Sequence, residues 1–160
     1  MIANWTAGLI LGFFVAPNYS AVAQSPSQVS SGDRKTDEVV CSVAFRKAAR
    51  NAWRATWNGT ARYETGFSID ENGRPGGLQS SEFATHDGLS HVRLVSRSKA
   101  LGTFHIHNNY GDSKPSELDI NIAKTTHKMV YVGSRDGLYS VDPDGTVRHL
   151  FRTVNWFDKM

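Results

Sequence analysis

The sequence predicts a mixed α/β domain in which a β-sheet is flanked by helices. Three observations carry that expectation. Apolar residues recur at three- and four-residue steps over 37–57, as in Val40, Val43, Ala44, Ala48 and Ala52, the period of a helix with one buried face. Short runs rich in Val, Ile, Phe, Tyr and Thr, separated by Gly, Asp, Asn and Pro, follow over 61–69, 78–85, 101–107, 129–132, 138–141 and 146–151, and such runs read as strands. A second helical segment, from 117 to about 127, interrupts them.

Taken in order, the chain opens on a targeting segment. Thr6 to Ala16 is an apolar run, and Ala21-Val22-Ala23 is a small-x-small cleavage pattern, although Met1 to Trp5 carries no Lys or Arg. Residues 1–23 are therefore expected to be a signal peptide, leaving Gln24 as the new N-terminus. The run falls short of the roughly 20 apolar residues of a membrane span. No stable membrane insertion is expected after cleavage, and the localisation is secreted or periplasmic. Residues 24–36 are polar and aperiodic, a flexible leader. Residues 37–160 remain, enough for one domain with its own core.

The helix over 37–57 stops at Asn58-Gly59, a common terminator. Trp53 and Trp57 are four apart and are expected to share a face against the sheet. Cys41 falls on the apolar side of this helix and is expected to be buried. As the sole cysteine, it excludes an intramolecular disulfide and a Cys-based zinc site. Arg46, Lys47, Arg50, Arg54 and Arg62 cluster here, but 18 basic against 15 acidic residues give only +3. That reads as a solvated helix surface, and no nucleic acid is expected as a partner.

Strand 61–69 leads through the turn 70–77 to a strand near 78–85, and 87–99 is either a short helix or an irregular crossing. The strand at 101–107 follows. The helix from 117 carries Leu118, Ile122 and Ala123 on its inward side. Arg135-Asp136-Gly137 and Asp142-Pro143-Asp144-Gly145 turn between the last strands. Asp70-x-Asn72-Gly73 and Asp142-x-Asp144-Gly145 look faintly like calcium loops but lack the glutamate an EF-hand needs, so both are turns. His86, Asp87 and His91 are a weak ligand set. His127, late on the second helix, suits the C-terminal dipole.

The chemistry concentrates in one stretch, His105-Ile106-His107 followed by Ser116 and Asp119. On a strand, residues two apart point the same way, so His105 and His107 present two imidazoles on one face. Ser116 reads as a helix N-cap with Asp119 three residues on, which returns a carboxylate toward the strand end. Two imidazoles, a carboxylate and an open fourth position suit a catalytic Zn²⁺ site. The same Ser-x-x-Asp spacing also describes a plain capping box.

This run resembles the metal-binding core of the JAMM/MPN metallohydrolase superfamily, which includes deubiquitinase-like peptidases and RadC-like domains. His105 and His107 match the family's His-x-His, and Ser116 and Asp119 its Ser-x-x-Asp. Glu64, in Tyr63-Glu64-Thr65-Gly66-Phe67, is the best match to the upstream glutamate. Two features depart from the pattern. The loop from Asn108 to Pro115 is one residue longer than usual, and Asn108 stands where proline is common. The resemblance implies a cytidine-deaminase-like or JAMM-type sandwich over 37–160. It also implies Zn²⁺ held by His105, His107 and Asp119, with Glu64 as general base and Ser116 as oxyanion donor. The expected partner is a peptide or protein substrate, cut at an amide or isopeptide bond. The alternatives are a catalytically inactive binding domain that keeps the fold, or a secreted toxin or effector domain.

Overall fold

A computed structural model describes residues 38–81, 92, 94, 98–153 and 155–158. The expected signal peptide and leader, the strand end at 82–85, and His86, Asp87 and His91 lie outside the described residues. Among the described residues no helix is long and apolar enough to cross a membrane.

The architecture is mixed α/β. Residues 38–41 are helical, and after a bend at Ser42 comes α1, Val43–Ala55. The strands are β1 (Thr65–Ile69), β2 (Gln79–Ser80) and β3 (Gly102–Ile106), then β4 (Met129–Ser134), β5 (Gly137–Val141) and β6 (Val147–Phe151). Helix α2, Glu117–Thr126, links β3 to β4, and a 3₁₀ turn spans Trp156–Asp158. The six strands form one sheet in the order β2-β1-β3-β4-β5-β6. Only β3 and β4 run parallel, which a crossover helix between them permits.

Helix α1 starts where the Ser42 side chain accepts a hydrogen bond from the Phe45 amide at 3.2 Å. It buries Phe45, Ala49, Ala52 and Trp53 against one face of the sheet. Phe67 and Ile69 of β1, Phe104 and Ile106 of β3, Tyr131 and Leu138 meet it there, with Trp156 and Phe157 from the C-terminal turn. Phe45 is the hub, its ring 5.4–6.0 Å from those of Phe67, Phe104, Tyr131 and Trp156. Arg50 fixes the C-terminal turn, donating to the Phe157 carbonyl at 2.9 Å and pairing with Asp158 at 2.6 Å. The other face carries α2 and a smaller cluster, Ile120 and Ala123 on Val130, Val132, Tyr139 and Val141.

Several local expectations are corrected. Helix α1 ends at Ala55, because Trp57, Asn58 and Gly59 all take left-handed φ values of 50°, 58° and 80°. Trp57 therefore leaves the helical face and is 70% exposed, whereas Trp53 is buried. Cys41 is exposed, because the bend at Ser42 breaks the periodicity that would have turned it inward. β1 begins at Thr65 rather than 61. His127 caps α2 in a left-handed conformation, φ 53°. Leu118 and Ile122 are 45% and 39% exposed, and of the three α2 residues expected inside only Ala123 is buried.

Candidate metal centre

Strand alternation divides β3 between two tasks. Phe104 and Ile106 enter the α1 core, so Thr103, His105 and His107 face the α2 side. Opposite His105 in the antiparallel register lies Gly66. A Cβ there would run into the Phe104 carbonyl and come within 2.9 Å of His105 Cβ, so glycine is what lets β1 pass the histidine. Continuing that register by one residue brings Glu64, just before β1, opposite His107 and onto the same face.

Helix α2 delivers the carboxylate. Ser116 and Asp119 form a complete capping box. The Ser116 amide and hydroxyl donate to Asp119 Oδ2 at 2.7 and 2.6 Å, and Ser116 Oγ accepts from the Asp119 amide at 3.3 Å. The structural and chemical readings of Ser-x-x-Asp are thus both present, because the capped carboxylate also faces the histidines. His105 Nε2 lies 3.3 Å from Asp119 Oδ1, and His107 Nε2 lies 3.4 Å from Oδ2. His105 and Asp119 are buried, and the His107 side chain is 11% exposed.

The donor set fits a metal ion. One nitrogen from each histidine and one Asp119 oxygen all lie within 4.8 Å of one another. Direct charge-assisted N–H···O bonds run at about 2.7–2.9 Å, shorter than either imidazole–carboxylate distance. Ligand atoms about 2.1 Å from a tetrahedral ion stand about 3.4 Å apart, close to the two imidazole–carboxylate distances. The tautomer of His107 fits as well. Its Nδ1 is 3.0 Å from the Asp112 carbonyl, which can only accept, so Nδ1 carries a proton and Nε2, turned toward Asp119, is the nitrogen that would ligate a metal once it has lost its own proton. The buried His105–His107–Asp119 group can therefore hold a metal ion.

The 108–115 loop is pinned rather than swung aside. Asn109 N donates to the Gly59 carbonyl at 2.7 Å, and the Asn109 side chain donates to the Asn58 carbonyl at 3.1 Å. Arg135 bonds Ser113 Oγ at 3.0 Å and the Asn109 carbonyl at 2.9 Å, and Ser113 is buried. Asn108 Oδ1 accepts from the Tyr110 and Gly111 amides at 3.1 and 3.2 Å and shapes the turn. The Arg135 contacts had no signal in the sequence, because they span 22 and 26 residues; of the left-handed 57–59 segment only the Asn58-Gly59 stop was visible.

Glu64 is buried, 8% exposed, and receives the Val92 amide on Oε2 at 3.3 Å. Burial pushes its pKa up to about 7, against the attraction of His107 and with the repulsion of Asp119. Burial would depress His107, but its hydrogen bond to Asp119 and the nearby charges of Glu64 and Asp119 raise it on balance. Asp119 is held well below the usual carboxylate range. Burial opposes ionisation there, yet the charge of His105 and the hydrogen bonds from His107 and Ser116 prevail. Glu64, His105 and Asp119 share a cleft of about 300 Å³. His105, His107 and Asp119 thus gather on one face, with Ser116 bonded to Asp119 and Glu64 lining the same cleft. A scan against protein-family models and searches of curated proteins and of solved structures find no match to this chain.

Proposed function

We propose that the domain is a zinc-dependent hydrolase of amide or isopeptide bonds, of the JAMM/MPN kind, acting on a peptide or protein substrate outside the cytoplasm. The observation that supports it most is Glu64, a carboxylate outside the ligand set, brought to the same cleft as His105 and Asp119 with its pKa raised to about 7. A general base works best with a pKa near the working pH, and a solvated surface glutamate has no reason to sit there. Two imidazoles with a single carboxylate favour zinc among the common ions, since calcium asks for six to eight oxygens.

Zinc bound at this site would supply Lewis acidity, bringing the pKa of water from about 15.7 to about 7. Glu64 would accept a proton from the water whose oxygen bonds the amide carbon and return it to the amine as the C–N bond breaks. Val92 N–H orients the Glu64 carboxylate through Oε2, leaving Oε1 for proton transfer. His107 is oriented by the Asp112 carbonyl, and Asp119 by Ser116. As Ser116 Oγ donates to Asp119, its oxyanion role requires the hydroxyl to turn away from that carboxylate; its standing role is to hold Asp119 in place. The apolar run Thr6–Ala16 and Ala21-Val22-Ala23 support export.

The test is Glu64→Gln. It should keep zinc content and fold while lowering the hydrolysis of a panel of fluorogenic peptide and isopeptide amides by about 10²–10⁴-fold. A Glu64→Gln protein as active as the parent, or a zinc-loaded parent that cuts nothing in the panel, would favour the binding-domain reading.

A further inference from the structure

Leu118 and Ile122 stand one turn apart on α2, yet they stay out of the core and are 45% and 39% exposed. Both line the cleft that holds Glu64, His105 and Asp119. The cleft is also lined by Thr103 and Val130, which the parallel β3–β4 register sets side by side, and by Met129, Thr126 and Lys128. Thr103 is two residues from His105, about 7 Å along the strand. At about 300 Å³ the cleft is at the small end of ligand pockets, which run from roughly 300 to 1,000 Å³. It has room for one residue beside the reacting bond rather than for a folded partner.

We infer that this cleft is a specificity subsite for one aliphatic side chain, carried by the residue next to the amide that is cut. The inference rests on the proposed hydrolase function, which puts the reacting carbonyl at Glu64, His105 and Asp119. From there the side chain extends along β3, with Leu118 and Ile122 as its wall and Val130 and Thr103 as its floor. A basic side chain laid against these residues would lose its hydration and meet the charge of Lys128 at the cleft. A glycine would leave Leu118 and Ile122 in water. The expected substrate class is therefore a peptide or isopeptide with Leu, Ile, Val or Met beside the cut.

Two titrations test this. On the zinc-loaded protein, leucine hydroxamate should bind about ten- to a hundred-fold tighter than glycine hydroxamate by calorimetry, the gain expected for burying one aliphatic side chain. On the metal-free protein, N-acetylleucine amide should shift the NMR signals of Thr103, Ile122 and Val130, and N-acetylglycine amide should not. Ile122→Glu should erase both preferences with zinc content unchanged, and Ile122→Ala should weaken them about several-fold. Equal binding of the leucine and glycine compounds in both titrations overturns the subsite and leaves the hydrolase reading standing. A protein that takes no zinc but still prefers the leucine amide, with Ile122→Glu abolishing that preference, sustains an apolar subsite and overturns the hydrolase reading alone.

Discussion

Stripped of metal by a chelator, this protein should lose stability as the pH rises from 4.5 to about 8, against the usual behaviour of a domain unfolded by acid. Glu64 ionises near 4.5 in the open chain but only at about 7 when folded. Its folded form holds a proton that the unfolded form has already released, so its contribution is full below 4.5 and disappears as the pH passes 7. At 1.36 kcal/mol per pH unit, the interval from 4.5 to about 7 amounts to roughly 3 kcal/mol. His107 is also raised, so what it adds has the same sign and is lost above 6.5. Asp119 acts in reverse, because its depressed pKa gives stability above the ordinary carboxylate range that is lost as the pH falls below it. The metal-free optimum should thus lie near pH 4–5. Urea titrations at a series of pH values measure this, with Glu64→Gln as the control that flattens the slope between 4.5 and 7. A metal-free protein that gains stability from pH 5 to 8, or a Glu64→Gln slope equal to the parent's, would refute the buried, protonated Glu64.

Zinc content by mass spectrometry should be about one per chain, and His105→Ala or Asp119→Ala should abolish it; zinc at a hundred times its Kd should add about 2.7 kcal/mol to the unfolding free energy. Ser116→Ala should cost about 1 kcal/mol through the lost N-cap, and should weaken zinc roughly 10–100-fold in a competition titration by releasing Asp119. Phe45→Ala should destabilise by about 3–5 kcal/mol in urea, whereas Trp57→Ala, at a 70% exposed position, should stay within about 0.5 kcal/mol. Exported protein should begin at Gln24 by intact-mass measurement, and recovery of chains still starting at Met1 would refute the cleavage site.

The site was legible in the sequence where its geometry is local. Two-residue alternation put His105 and His107 on one face, and N-cap spacing brought Asp119 back to them. Strand and helix existence followed from turn residues and periodicity, with ends displaced by a few residues. What escaped is set by distant partners. Glu64 was picked out by the resemblance alone; nothing in the residues around it announces its pairing opposite His107, which comes from the β1–β3 register. Trp57 looked like a core residue because its periodicity fits, but Asn109 bonding to Gly59 and Asn58 accompanies a left-handed chain path that takes it out of the helix. Leu118 and Ile122 carry the spacing of an inward stripe, and periodicity cannot distinguish a core from the wall of a cleft.

The alternation along β3 has a further meaning for how such a chain can change. Phe104 and Ile106 belong to the large aromatic core under α1, while Thr103, His105 and His107 face α2 and a cluster less than half its size. Folding and chemistry are thereby written on alternate letters of β3 and the residue that follows it. Substitutions at odd-numbered positions can alter the candidate metal group or the cleft while the even-numbered ones keep the domain folded, so natural variation can reshape this face without repeatedly risking collapse. Insertion or deletion of one residue within β3 is the exception. It exchanges the two sets, burying imidazoles in the aromatic core and turning Phe104 toward the cleft, so drift in this strand must proceed by replacement and not by change of length.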